Sequence, residues 1–267
     1  MKRHFFAFFS MIVFTSSLCV VGNVYGQKFS FGFKGSVGMG WAGFGDKDQK
    51  DTFATKPILN YGAGFQIGFP LKNEFQLKLE GGYSREGRRL LFNDKQWDNR
   101  TVYNFVEAQM LLQRKFKFYL QKNVPSEVYF SIGPDINYWL NGSGRIVVNR
   151  NKPGVEYDVI FDETPSSDFS KMYYNNMNRW LFGLVLGVGI KAPLKKNSAL
   201  STDLRFVSGH TFLGKRNSSY IEILGYEDTQ FTNLKSINLV VTYLWEVDVK
   251  EGRKGKSTLN KKLKKSR

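Results

Sequence analysis

The residues able to do covalent chemistry are few, and their spacing decides what any of them can do. The 267 residues include two histidines and one cysteine. His4 lies in a charged N-terminal start and Cys19 within the apolar stretch behind it, so His210 is the histidine left in the body of the chain. Ser208 precedes His210 by two positions and shares its face of an extended segment. A hydroxyl beside an imidazole is the core of an activated nucleophile, and Glu222 in the next connection stays open as its acid. The residue order and the lack of a nearer acid weigh against this, and no residue is assigned a catalytic role. Asp158, Asp162, Glu163 and Asp168 make one connection acidic, which reads as ordinary solvation with at most weak cation contact. No phosphate loop, His/Cys ligand spacing or acidic calcium loop is present, so neither a metal nor a cofactor is expected.

Charge points the same way. The formal net charge is +16, and half of it sits at the C-terminus. From Lys250 to Arg267, nine Lys and Arg face the single acid Glu251. Such a run resists compaction and reads as a disordered, solvated tail, residues 250–267. Elsewhere no basic stripe is interleaved with stacking aromatics, so nucleic acid is not an expected partner. At the other end, Lys2 and Arg3 precede an apolar run from Phe5 to Val21, and Val24-Tyr25-Gly26 forms a small-residue cleavage site. Residues 1–26 therefore read as an export signal, with the mature chain starting at Gln27. The mature chain has no cysteine and no disulfide.

The segments that must carry these groups alternate with a period of two, the mark of strands with unlike faces. In Lys28–Ala42, Phe29, Phe31, Phe33, Val37, Met39 and Trp41 share one parity, and Ser30, Gly32, Lys34, Ser36 and Gly38 the other. The same pattern runs through 58–71, where Leu59, Tyr61 and Phe65 oppose Asn60, Gly64 and Gln66, and through 75–84. Lys72-Asn73-Glu74 joins those two as a hairpin. Further strands are read at 101–116, 127–140, 180–194, 199–212 and 236–245. The composition agrees, with 24 Phe, 13 Tyr and 26 Gly favouring strands and turns over helices. Mean hydropathy is −0.35, and beyond the N-terminus no apolar run approaches the roughly eighteen residues of a spanning helix.

The content of the two parities decides the architecture. One is crowded with Phe, Leu and Trp; the other is mainly Gly, Ser and charge. Eight strands enclose little room, so the small and charged parity belongs inside and the bulky apolar parity against lipid. Candidate interior charges are Lys34, Lys78, Glu80, Glu107, Asp135, Lys191, Asp203 and Arg205, of both signs, whose pairing offsets desolvation. A water-filled pore is not expected. Short links (72–74, 195–197) and the intermediate 117–126 alternate with long ones (43–57, 92–100, 147–178, 214–233), which places short turns and both termini in the periplasm. Trp41, Tyr61, Trp139, Tyr173, Tyr174 and Trp180 would form one aromatic girdle, and Phe69, Phe75, Phe118, Tyr119 and Trp245 the other. The expectation is an all-β, eight-stranded antiparallel up-and-down transmembrane β-barrel over residues 27–249.

Two stretches carry a family resemblance. Val124-Pro125-Ser126-Glu127-Val128-Tyr129-Phe130-Ser131-Ile132-Gly133-Pro134-Asp135-Ile136-Asn137-Tyr138-Trp139-Leu140-Asn141-Gly142 resembles the central Gly-Pro strand of PorT-like outer-membrane barrels of the Bacteroidota. Phe105-Val106-Glu107-Ala108-Gln109-Met110-Leu111-Leu112 resembles the strand before it, although Ala108-Gln109 replaces that family's Ile-Pro. The basic tail has no counterpart there. The resemblance implies an outer-membrane barrel, some of whose relatives assist type IX protein secretion. The reading is thus a non-enzymatic structural or interaction barrel of the cell envelope, meeting outer-membrane lipids and other envelope or secretion proteins through its long loops and tail. Two alternatives stand beside it: an outer-membrane lipid hydrolase built on Ser208 and His210, and a soluble ligand-binding barrel.

Overall fold

The computed structural model describes residues 28–92, 97–121, 124–148, 153–161, 170–174, 177–195, 197–214, 221–223, 226–228 and 230–248. The export signal expected at 1–26 and the disordered tail expected at 250–267 lie outside these residues, as do Asp162, Glu163 and Asp168.

Eight long strands form a ring. They are β1 (Lys28–Phe44), β3 (Ile58–Pro70), β4 (Phe75–Phe92), β5 (Trp97–Gln121), β6 (Val124–Val148), β9 (Trp180–Lys195), β10 (Ser198–Gly209) and β13 (Thr232–Asp248). Each pairs antiparallel with the next, and β13 pairs with β1 from Lys28↔Asp248 to Phe44↔Thr232. Closure leaves the ring no free edge, the condition for a strand wall in lipid. Five short strands and one helix decorate the end with the long connections. Strand β2 (Phe53–Lys56) follows the helix α1 (Lys47–Thr52) and pairs with β4; β7 (Val155–Phe161) pairs with β6; β8 (Lys171–Tyr174) pairs parallel to β7; β11 (Ile221–Ile223) and β12 (Tyr226–Asp228) form a separate hairpin.

The faces divide as the alternation requires. Phe31 is 40%, Phe65 54% and Leu186 45% exposed, whereas Asp203 is 0% exposed and Lys34, Lys78, Glu80 and Arg205 are buried. Apolar side chains therefore point away from the ring and charged ones into it. A soluble barrel would bury the first set and solvate the second, so this inversion identifies the outer wall as a lipid-facing surface.

Several boundaries differ from the sequence expectation. The link expected at 92–100 is largely strand, because β4 runs to Phe92 and β5 starts at Trp97, and the link expected at 117–126 shrinks because β5 runs to Gln121 and β6 starts at Val124. The alternation fades there because, beyond the lipid, neither face must be uniformly apolar. The strand expected to reach Phe212 ends at Gly209. Trp139 and Tyr174 leave the expected girdle, since both are fully buried. Trp139 shares the inward parity of Tyr129 and Asp135, and Tyr174 lies on β8, packed against it. Trp180 at 58% and Tyr61 at 46% exposure do face outward. The side chains of Phe118 and Tyr119 lie outside those described.

The β3–β4 link is a tight turn in which the Phe75 N–H donates to the Lys72 carbonyl at 3.3 Å. Asn73 (φ 56°) and Glu74 (φ 67°) are both left-handed, the primed geometry that matches strand twist. Asn tolerates this conformation; Glu carries a penalty of about 1 kcal/mol. Glu74→Gly is expected to raise the unfolding free energy of the reconstituted protein by up to about 1 kcal/mol, read as a higher urea midpoint at unchanged slope. A lowered midpoint would contradict the turn assignment.

Candidate functional site

Along β5 the inward residues run Tyr103, Phe105, Glu107, Gln109, Leu111, Gln113 and Lys115. An aromatic layer near the long-connection end thus gives way to an ionic one.

The ionic layer is built from Lys34 on β1, Lys78 and Glu80 on β4, Glu107 on β5, and Asp203 and Arg205 on β10. Glu80 is its centre. It accepts from Arg205 through both oxygens, Nη1 to Oε2 at 2.7 Å and Nη2 to Oε1 at 2.9 Å, and from Lys34 Nζ at 2.9 Å. Lys34 also reaches Glu107 at 2.5 Å, and Lys78 lies 3.4 Å from Glu80. Arg205 donates to Asp203 at 3.2 Å and to Gln109 at 3.1 Å. Gln109 passes the network on by donating to Asp135 at 2.9 Å, and Asn137 donates to the other Asp135 oxygen. The fork of Arg205 on the planar carboxylate is the strongest form of ion pair available.

Glycines make the room for these long side chains. A Cβ at Gly189 would lie 2.5 Å from the Tyr129 ring and 2.7 Å from Asp203, and one at Gly187 would lie 2.5 Å from Ser131. Tyr129 uses this space to share a hydrogen bond with Ser201 at 2.6 Å, while Lys78 sits 5.6 Å from its ring centre.

The long-connection end is closed by packing. Tyr103 meets Trp139 edge-on at 4.7 Å between ring centres, and Trp139 meets Phe161 at 4.8 Å and Tyr174 at 5.6 Å. Buried Arg88 spans this mouth, donating to Tyr103 Oη at 2.9 Å and to Thr232 Oγ1 on β13 at 2.7 Å. Tyr157 on β7 shares a hydrogen bond with Thr101, and burial pushes its phenol pKa up. At the short-turn end, Lys191 pairs with Glu246 and Glu127, and Lys115 with Glu127 at 3.2 Å. These groups are more exposed and contribute less.

All eight interior charges inferred from sequence thus lie in the lumen, and seven join one of its two ion-pair clusters, with Asp135 attached through Gln109. Their uncharged partners Gln109, Tyr129 and Asn137 carry no charge to mark them in the sequence, although each has the inward parity. Ser208 and His210 are not brought together. Ser208 shares the outward parity of Leu204 and Phe206, and no hydrogen bond joins it to His210, whose amide donates to the Phe182 carbonyl at 2.8 Å. The Glu222 side chain lies outside those described, and Asp158 is exposed. Among the described residues no group of three or more His, Cys, Asp or Glu is placed to hold a metal.

Truncating one partner of a buried pair strands the other's charge at a cost of about 3–5 kcal/mol, whereas removing both with apolar residues is close to neutral. Arg205→Met should therefore lower barrel stability by that amount, and Glu80→Leu/Arg205→Leu by much less. Urea unfolding in liposomes reads the difference, and equal losses in the two variants would contradict a coupled network.

The family described as "Outer membrane protein beta-barrel domain" matches residues 24–223. Among solved structures, the chain is similar to the outer membrane protein OprG of Pseudomonas aeruginosa, at 8% identity and a TM-score of 0.49, covering 84% of this chain and 97% of that one. It is also similar to Neisserial surface protein A, at 12% identity and 0.40, covering 80% and 96%. The attachment invasion locus protein Ail of Yersinia pestis follows at 10% identity and 0.35, covering 82% and 99%. No curated protein matches the sequence. With three quarters of its length matched and its strands closed into a ring with apolar side chains outward, the chain belongs to the outer-membrane protein β-barrel domain family, a bacterial outer-membrane protein.

Proposed function

We propose that this protein is a non-enzymatic barrel with a sealed lumen, and that its work is done where its wall rises beyond the membrane. The observation that carries this reading is the filled interior: the Glu80–Arg205–Lys34 lattice and the Trp139 cluster occupy the space a pore or ligand chamber would need. Function then falls to the rims. Strands β5 and β6 hold 25 residues each. At ordinary rise and tilt such strands reach roughly 60 Å, more than twice the apolar band of about 25 Å. The surplus on β4, β5 and β6, extended by β7 and β8, is a stiff sheet suited to contact with other envelope proteins.

In this reading the short turns and both termini face the periplasm and the sheet extension faces outward, with residues 250–267 a basic periplasmic contact for acidic partners or anionic lipid. The finer assignment, a PorT-like barrel of the Bacteroidota that assists type IX secretion, is supported by the Phe105–Leu112 and Val124–Gly142 stretches. The hydrolase alternative draws no support from Ser208 and His210, which are unconnected, and the outward apolar wall speaks against a soluble ligand carrier.

Photo-crosslinking in intact outer membranes tests the reading. A crosslinker at Lys171, exposed on β8 of the extension, is expected to yield discrete protein adducts, while one at Phe65 or Leu186 yields lipid only. Adducts absent from the extension would overturn the interaction role.

A further inference from the structure

On the outer face of the extension, three arginines stand in one cross-strand row. The register places Arg89 on β4 opposite Arg100 on β5, and Arg100 opposite Arg145 on β6. Like charges directly opposite each other across strands repel. Arg89 is neutralised by Asp98, to which it donates at 2.8 and 2.5 Å, and these bonds raise the guanidinium pKa further. Arg100 and Arg145 are exposed and make no ion pair among the described residues. Glu156 faces Arg145 in the register without closing a salt bridge to it.

Two open grooves meet at this pair. One, of about 420 Å³, sets Arg89, Arg100 and Arg145 over the apolar floor of Ile58, Leu59 and Val147. The other, of about 610 Å³, runs from Arg85 past Arg100 and Arg145 to Tyr157 and is lined as well by the carboxylates of Glu156 and Asp158, so the anion-binding end lies towards Arg100 and Arg85. Both continue into the lipid-facing wall. Leu59 is 60% exposed and belongs to it, and Arg85 donates to Tyr61 Oη at 2.9 Å at its rim. Along β4, Arg89 follows Phe75, at the short-turn end, by fourteen positions, which lifts the row roughly 35 Å above that end at ordinary rise and tilt. An apolar band of about 25 Å ends below it, so the row stands at the height of charged headgroups.

We infer that Arg100 and Arg145, flanked by Arg85 and Arg89, bind the phosphate groups of an outer-leaflet glycolipid whose acyl chains lie against Leu59 and the wall below. The chemistry is specific to such a ligand. Paired guanidinium forks match phosphate oxygens, a bound dianion removes the repulsion within the row, and the groove joins cationic and apolar walls in the order a phosphoglycolipid presents them. The leaflet rests on the orientation proposed above, but binding in detergent has no sidedness and tests the site independently of it.

The test uses the purified full chain in a neutral detergent, titrated with bisphosphorylated lipid A, dephosphorylated lipid A and inorganic phosphate, with adducts read by native mass spectrometry. The wild type should bind the phosphorylated lipid on the order of tenfold more tightly than the dephosphorylated form. Arg100→Gln/Arg145→Gln should lose that preference while keeping heat-modifiable migration, the sign of an intact barrel. Equal wild-type binding of the two lipids overturns the site, and this arm decides the question even where the variant does not fold. A preference that survives the double substitution also overturns it. Displacement of lipid A by millimolar inorganic phosphate would replace the lipid site with one for free anions and so overturn the lipid assignment.

Discussion

A peptide group left unpaired in hydrocarbon costs several kcal/mol, and the rest of this structure follows from avoiding that cost. The seventeen-residue pairing of β1 with β13 is the seam that completes the wall. Once it closes, each strand has an inside and an outside, and strict alternation decides which residue meets lipid. Phe33 and Phe65, neighbours across β1 and β3, pack outward, while Lys34 and Gln66 turn inward from the next positions. A slip of one residue would exchange the two sets, placing Lys34 in lipid, so register is held by the solvent on each side.

Closure of so small a ring creates a second demand, because charges facing inward have little water to solvate them. The lumen meets it in two ways. Around Glu80, cations from β1, β4 and β10 converge on one carboxylate, tying three non-consecutive parts of the chain together. Towards the long connections, aromatic packing around Trp139 replaces ion pairing, and the Arg88 bridge to Thr232 links β4 with the far wall. Glycines at 187 and 189 are the complement of this crowding, since the side chains they lack would occupy the positions of Ser131 and Tyr129.

What could be read from the chain follows the same physics. Where lipid lies on one side and a narrow lumen on the other, the two faces select opposite side chains, and all eight ring strands with their inward charges are visible as alternation. Beyond the membrane that selection ends. Arg85 to Phe92 and Trp97 to Arg100 alternate weakly because neither of their faces meets hydrocarbon, so the alternation does not show the height of the sheet extension. Trp139 and Tyr174 lie away from the expected girdle because aromatic character alone suggests one, whereas parity and packing decide whether a ring points to lipid or to its neighbours. The partners of the ionic lattice were legible as charges but not as a geometry. That Glu80 lies at its centre depends on strands 46 and 125 residues apart in sequence meeting across the lumen.

The central claim is that bulky side chains face lipid and the small or charged ones face inward. Nitroxide labels on single cysteines, placed one at a time from Tyr61 to Phe69 after replacing Cys19, read this directly in liposomes. Oxygen accessibility is expected to oscillate with a period of two, high at 61, 63, 65 and 67 and low at 62, 64, 66 and 68. A flat profile, or maxima at the even positions, would contradict the account.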